Sequence, residues 1–383
     1  LISRKRYYRM KRIIFLVILS LLVSCSDSVN KPHGPPYIID LTRNMPESNN
    51  KLSDFVESID YIKPDTSSGG FLSWIYGINI TNEKILVRNL NTINIYNWEG
   101  NFLTGINKIG RGPGEYSHIL DFDINAGTDS VIILSGRTLH YYSISDGSFL
   151  KELKLNYPAW TFKVLDDEHF YLGTPPISGE PVPTHIILNR AGEMVKYSIN
   201  KFIFKSDFNI GINNEVSSYR TMNGIFYSEF LDDTLYSVSP ETGFSPYVIF
   251  NKGNIGLTIE KRNSPSLEKV FQECMITSGF FETNTFLFVG LTYKNTTGIV
   301  SLNKKTGEYY YNENGIINDL DGGLPLKYAL LSNDSILIST VLPTEIMSHK
   351  VDDKFKNQNN EFMKLKSSIS EEDNPVLVIL KLK

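Results

Sequence analysis

From about residue 72 onward, short apolar runs alternate with polar, glycine-marked turns, and one hairpin pattern recurs five times. Ile93-Asn94-Ile95-Tyr96 turns at Gly100, His140-Tyr141-Tyr142-Ser143-Ile144 at Gly147, and Ile186-Ile187-Leu188 at Gly192. Leu235-Tyr236-Ser237-Val238 turns at Gly243, and Ile299-Val300-Ser301-Leu302 at Gly307. The intervals between these glycines are 47, 45, 51 and 64 residues. Repeats of this length, built from strands and turns alone, predict the four-stranded blades of a propeller. A second recurring strand follows a turn-forming amide or acid, at Asn82, Asp129, Asp167 and Asn333. Such side chains bond to nearby backbone amides and favour turns.

A sixth matching strand, Val376-Leu377-Val378-Ile379-Leu380, stands at the carboxyl end with no return strand after it. A propeller closes its ring, so the missing outer strand is expected from the amino-terminal side. The unassigned apolar run Tyr37-Ile38-Ile39-Asp40-Leu41 is the predicted partner, with residues 52–62 leading from it into blade one. The blades are then expected at residues 72–106, 118–155, 160–199, 218–250 and 271–311, with blade six from 316 to the last strand. Residues 344–370 break the pattern: they lack Gly and Pro, and Ile346, Val351, Phe355, Phe362, Met363 and Leu365 form a helical stripe. The expected fold is therefore all-β, a six-bladed β-propeller closed by pairing of N-terminal and C-terminal strands, with a helical insertion in the last blade.

The first residues carry an address. Lys11-Arg12 precedes an apolar run from Ile13 to Leu22, too short to span a membrane comfortably, and Leu22-Val23-Ser24-Cys25 follows. Apolar residues, a small residue and then cysteine form a bacterial lipobox, with the Cys25 thiol as the acceptor of a diacylglycerol. Met10 is the expected start. Residues 1–24 read as upstream residues and signal peptide, 25–36 as a Pro-rich flexible tether, and 37–383 as the propeller. Removing residues 1–24 removes six basic residues and no acids, taking the formal charge from −4 to −10. So acidic a chain, without a basic run, is not expected to bind nucleic acid. Cys274 is the only other cysteine, so no disulfide is expected, and its apolar neighbours predict a buried thiol.

Candidate chemistry is sparse. Gly110-Arg111-Gly112-Pro113-Gly114-Glu115-Tyr116 lacks the Gly-Lys-Ser/Thr ending of a phosphate loop. It reads as a tight crossing between blades, with Arg111 and Glu115 locking neighbours and Arg111, Glu115, Tyr116 and the adjoining His118 open to a ligand on one propeller face. Asp121-Phe122-Asp123 places two acids on one side of an expected inner strand, where paired carboxylates lining the channel suit acid/base work. Asn318, Asp319 and Asp321, beside Gly322-Gly323, offer hard oxygens to calcium, or form a solvated turn. None of the six histidines has a local zinc spacing, and no other metal or cofactor is expected.

The run Ile109 to Tyr116 resembles a signature of six-bladed β-propeller lipoproteins common in Bacteroides and relatives, a group related to NHL-type propellers. Leu52-Ser53-Asp54-Phe55-Val56-Glu57-Ser58-Ile59, Asn318 to Gly323 and the ending Asp373-Asn374-Pro375-Val376-Leu377-Val378-Ile379 are similar to that family as well. The resemblance implies an exported lipoprotein of the cell envelope, in the outer membrane and facing either the periplasm or the surface. It brings no catalytic set. Two functions are carried forward: a non-enzymatic binding or scaffolding propeller for a glycan, peptide or envelope protein, and a polysaccharide hydrolase or lyase using acids in the central channel.

Overall fold

The computed structural model describes residues 34–383 apart from 44, 48–49, 68, 206–210, 213, 265 and 357–359; the signal segment, Cys25 and most of the tether lie outside the described residues. In blade one, Gly77–Ile80, Lys84–Asn89, Thr92–Asn97 and Phe102–Ile106 form an antiparallel sheet in chain order. Its apolar runs are continuous because both faces of the sheet are buried. Ile85, Val87 and Tyr96 pack toward blade six, while Leu86, Ile93 and Ile95 pack toward blade two. The two-residue period of a strand thus splits one sequence run between two interfaces. Blade two repeats the division: Val131 and Ile133 face blade one, and Ile132 and Leu134 face blade three.

Blades two to five begin at inner strands Asp121–Asn125, Thr161–Val164, Val216–Thr221 and Ile276–Glu282 and end at outer strands Phe149–Lys154, Met194–Ile199, Gly243–Asn251 and Tyr309–Asn312. Four of the five glycines that mark the repeat sit in the turns before the outer strands and Gly243 opens its strand, all with positive φ, from +71° at Gly147 to +87° at Gly100. At Gly100 a Cβ would also stand 2.6 Å from the Lys63 carbonyl oxygen, so glycine is required there twice over. The long interval between Gly243 and Gly307 has a simple origin. Helices Ile259–Arg262 and Leu267–Glu273 lie between blades four and five, so the first residues assigned to blade five from sequence are helical. Cys274 follows them, buried against Ile212, Phe230 and Val270.

Blade six consists of Leu331–Ser332, Ile336–Val341, Val376–Leu382 and, as its outer strand, Val56–Ile62. The ring is closed by pairing of N-terminal and C-terminal strands, but the closing strand is Val56–Ile62, not residues 37–41. Ile59 pairs with Leu380 and Tyr61 with Val378 in antiparallel register. Tyr37–Asp40 instead adds in parallel to the outer edge of blade four, with Ile38 opposite Ile249. Between them, Glu47 bridges Tyr311 at the edge of blade five and Lys51 bridges Ile317 just beyond it. Both apolar runs suit an outer strand; Val56–Ile62 adjoins blade one in sequence, and that short connection brings it to the last blade of the ring.

Segment 64–72, which joins the closing strand to blade one, is fastened to the end of the chain by Asn374. This residue is fully buried. Its Nδ2 donates to the carbonyls of Gly70 (2.9 Å), Asp65 (3.1 Å) and Pro64 (3.2 Å), and its Oδ1 accepts from the Leu72 amide at 2.7 Å. The helical insertion is present as Pro343–Ser348 and Glu361–Ser368, with Ile346 and Phe362 buried against Tyr61 and Val376. Its stripe packs on the rim of blade six. Replacing Asn374 by Ala leaves a buried amide and buried carbonyls without partners, and denaturant titration should show a loss of about 2–3 kcal/mol. A loss under about 0.5 kcal/mol, the range of ordinary surface substitutions, would contradict this role.

Candidate functional site

Antiparallel strand order fixes the two faces of the ring. The crossovers between blades lie at one face with the turns between second and third strands. The turns after the first and third strands lie at the other, called here the turn face.

The Gly-rich crossing is built around Tyr116. Its ring is buried, its hydroxyl donates to the carbonyls of Asn91 (2.9 Å) and Ile106 (3.0 Å), and burial pushes its phenol up to about 12. Gly114, at φ +71°, lies under the Phe149 ring, and its carbonyl accepts from the Tyr142 hydroxyl at 2.9 Å. Glu115 folds back onto its own loop, accepting from the Gly112 amide at 2.7 Å. Inter-blade locking in this region therefore comes from Tyr116 and Arg88 rather than from Arg111 and Glu115. Arg88 of blade one donates to the carbonyl of Leu120, ahead of blade two, at 2.7 Å. Arg111, Glu115 and His118 are exposed on the crossover face.

Asp121 and Asp123 turn toward blade three. Asp121 Oδ2 accepts from Thr161 Oγ1 (2.6 Å), the Phe162 amide (3.0 Å) and Lys163 Nζ (2.9 Å). Asp123 is fully buried, and its Oδ2 accepts from the Val164 amide at 2.8 Å and Arg220 Nη2 at 2.6 Å. Arg220 Nη2 also donates to the Val164 carbonyl at 2.7 Å. Inner strands of blades two, three and four are thereby joined in one charge-assisted network. The carboxylates are occupied as structural acceptors.

Asn318, Asp319 and Asp321 come together as a turn that supports ring closure. Asp319 accepts from the Ser53 amide (3.0 Å) and hydroxyl (2.7 Å), just ahead of the closing strand. Burial works against its ionisation, but the Ser53 donors outweigh this and hold its carboxyl below the usual range. Asp321 accepts from Tyr61 of the closing strand at 2.9 Å and from Asn318 Nδ2 at 2.7 Å. Among the described residues, no group of three or more His, Cys, Asp or Glu is placed to hold a metal ion. Other buried polar pairs are likewise inter-element ties: His185 of blade three meets Tyr171 (2.9 Å) and Glu229 of blade four (2.6 Å), and Glu215 pairs with the helical Arg262.

Two features escaped the sequence reading. The first is an aromatic corner on the crossover face. In the crossover entering blade one, Leu72 and Ile75 anchor in the core while Phe71, Trp74 and Tyr76 stand 56, 55 and 48% exposed. Leu90, 55% exposed, belongs to the adjoining turn and holds φ +51°. Asn89 fixes the corner, accepting from Ser73 Oγ at 2.9 Å and donating to the Phe71 carbonyl at 3.1 Å. The Tyr76 amide donates to the Arg88 carbonyl at 2.9 Å, and the Arg88 guanidinium lies over the Tyr76 ring. The i, i+3 spacing of Leu72 and Ile75 was the available signal, since it leaves Phe71, Trp74 and Tyr76 on the other side. The second feature is on the turn face, where the channel mouth is a cavity of about 490 Å³ and a groove of about 1090 Å³ lies over blades six and one. Ile80 and Asn333 line both.

A family model described as Domain of unknown function (DUF4934) matches residues 36–381. The chain belongs to this family. Among solved structures, a Bacteroides fragilis protein inferred to be exported shares the propeller fold, with a TM-score of 0.69, 19% identity, and coverage of 91% of this chain and 99% of that one. The extracellular domain of an inferred one-component system from B. thetaiotaomicron aligns with a TM-score of 0.39 and 11% identity over 75% of this chain and 31% of that one. BamB from Moraxella catarrhalis aligns with a TM-score of 0.35 and 12% identity over 67% of this chain and 76% of that one. No curated protein matches the chain. No helix among the described residues is long and apolar enough to cross a membrane.

The network around Asp123 makes a direct prediction for the DUF4934 chain. Asp123→Ala strips the Val164 amide and Arg220 of their acceptor; because Arg220 is partly solvated, the expected loss is about 2–3 kcal/mol in a denaturant titration. An unchanged midpoint would show that the carboxylate is not a structural acceptor.

Proposed function

We propose that this chain is a cell-envelope lipoprotein that works as a binding or scaffolding propeller. It engages an envelope protein through the aromatic corner of its crossover face. The observation that carries the reading is the set Phe71, Trp74, Tyr76 and Leu90, held outward by Asn89 and Arg88. Large aromatic side chains fixed in water by backbone hydrogen bonds lose little entropy on binding and are typical anchors of protein interfaces. The corner is a projecting surface, whereas glycans and small ligands are gripped in clefts. The neighbouring crossovers continue it with exposed Ile109, Tyr328 and Ile317 and with the charged side chains of Arg111 and Glu115.

Lipidation of Cys25 would tether the domain to a membrane through the polar segment 25–36, with the outer membrane as the proposed site. The lipobox and the resemblance to a Bacteroides fragilis protein inferred to be exported support this address. Calcium at Asn318, Asp319 and Asp321 is not needed for this reading, because those oxygens already serve Ser53, Tyr61 and the turn itself. The hydrolase or lyase alternative relied on Asp121 and Asp123, whose bonding to blades three and four favours the binding reading instead.

Three measurements test the proposal. Labelled palmitate should enter the full chain in cells and be lost in Cys25→Ala; incorporation that survives the substitution would overturn the lipid assignment. A photo-crosslinking residue at position 74 or 76 should give a discrete adduct with an envelope protein, while one at Lys354 on the insertion should not. Combined Trp74→Ala and Tyr76→Ala should weaken that partner by about 2 kcal/mol or more, roughly 30-fold. An adduct of equal yield from all three positions would contradict a specific corner.

A further inference from the structure

The turn face differs in chemistry from the crossover face. Its first-to-second-strand turns are polar, as in Thr81-Asn82-Glu83, Asp166-Asp167-Glu168 and Asn333-Asp334-Ser335; Asp166, Asp167 and Asn333 line the cavity at the channel mouth, and Thr81, Asn82 and Glu83 line the groove. Asn125 lines this cavity at the end of the inner strand of blade two. It is only 3% exposed, and its Nδ2 has no hydrogen-bond partner among the described residues. Leaving a buried amide donor unpaired costs about 1–3 kcal/mol, so an unpaired amide on a residue that lines a cavity points to an acceptor supplied from outside the chain.

The surroundings narrow the class of acceptor. Arg220 also lines the mouth, 39% of its side chain exposed, but its charge is matched by Asp123. Asp166 is paired with His169, and Asp167 lies 3.6 Å from Arg190. The mouth therefore presents amides, from Asn79, Asn125 and Asn333, among charges that already have partners. This arrangement favours a neutral ligand rich in groups that both donate and accept. Gly127 keeps the wall open, since a Cβ there would stand 3.1 Å from Asp167 Oδ1 and 3.4 Å from Asn125 Oδ1.

Ile80 and Asn333 also line the groove over blades six and one, which therefore adjoins the cavity. Trp98 lines that groove, its indole N–H fixed to the Asn82 carbonyl at 3.1 Å, and the Asp60–Lys381 pair, 2.7 Å apart, stands at its side. An aromatic ring beside amides and paired charges suits the apolar faces and hydroxyl edges of sugar rings. A mouth of about 490 Å³ beside a groove of about 1090 Å³ accommodates several linked rings.

We propose that the turn face binds a neutral oligosaccharide, one ring seated at Asn125 in the channel mouth and the following rings running past Trp98. The site is separate from the aromatic corner on the other face and does not depend on it.

Calorimetric titration of the full chain with neutral hexasaccharides of glucose, mannose and xylose, and with the acidic hexamer of galacturonic acid, tests the assignment. At least one neutral hexamer should bind one-to-one and better than the acidic one. Asn125→Ala and, independently, Asn79→Ala should each weaken it roughly tenfold, the scale of one hydrogen bond. Removing an unpaired donor should not lower the thermal midpoint of Asn125→Ala, so lost binding is distinguishable from lost folding. Trp98→Ala should weaken binding further, and Trp74→Ala on the opposite face should leave it unchanged. The proposal is overturned if no neutral hexamer binds at millimolar concentration, if the acidic hexamer binds better, or if Asn125→Ala and Asn79→Ala bind like the parent.

Discussion

The hydrogen bonds between Val56–Ile62 and Val376–Leu382 are the constraint on which the rest of this molecule depends. Each blade buries both faces of its sheet against neighbours, so an open ring would expose two apolar faces at once. Ile59, Leu380 and Leu337 complete the interface with blade five; Ile62, Leu377 and Ile379 complete the interface with blade one. The pairing joins residues more than 300 positions apart, so its loop-closure entropy is opposed by hydrogen bonds and apolar contacts that form together. Accessory ties gather at the same seam. Asn374 stitches the end of the chain to segment 64–72, the 318–321 turn holds Ser53 and Tyr61, and the helical insertion packs Phe362 against Tyr61.

Around the channel, polar ties do what a shared sheet would do in another fold. Asp123 and Arg220 join blades two to four. Glu282 of blade five accepts from Thr221 and Tyr247 of blade four, while its carbonyl accepts from Ser332 of blade six. These acids are desolvated and fully bonded, which makes the inner ring rigid and leaves functional surface to the two faces. One face carries projecting aromatics, the other a polar cavity. With the proposed lipid at Cys25 and the two proposed sites, the propeller would hold two different partners in fixed relation.

Much of the architecture was legible because it is local. Positive φ at Gly100, Gly147, Gly192, Gly243 and Gly307 is a property of single turns, so the residue type announces the turn and the interval announces the blade. What was not legible depends on distant partners. Residues 37–41 read as the outer strand and 52–62 as a lead-in to blade one, yet both are apolar runs, and only three-dimensional reach decides which of them meets residues 376–382. Asp121 and Asp123 read as channel acids because Arg220, 97 positions from Asp123, cannot be assigned to it from spacing. The crossover face was anticipated through Arg111 and Glu115, yet its aromatics lie one blade earlier in the chain, at the start of the segment assigned to blade one. Asn125 carried no signal at all, since an unpaired donor is recognisable only when every neighbour is known.

Cysteine cross-linking tests the closure most directly. In a background lacking Cys25 and Cys274, cysteines replacing Ser58 and Lys381, which stand opposite each other, should oxidise to an intramolecular disulfide in the folded chain. Cysteines replacing Ile38 and Val378 should stay reduced, because Ile38 pairs with Ile249 of blade four. A disulfide between positions 38 and 378, with none between 58 and 381, would contradict the account.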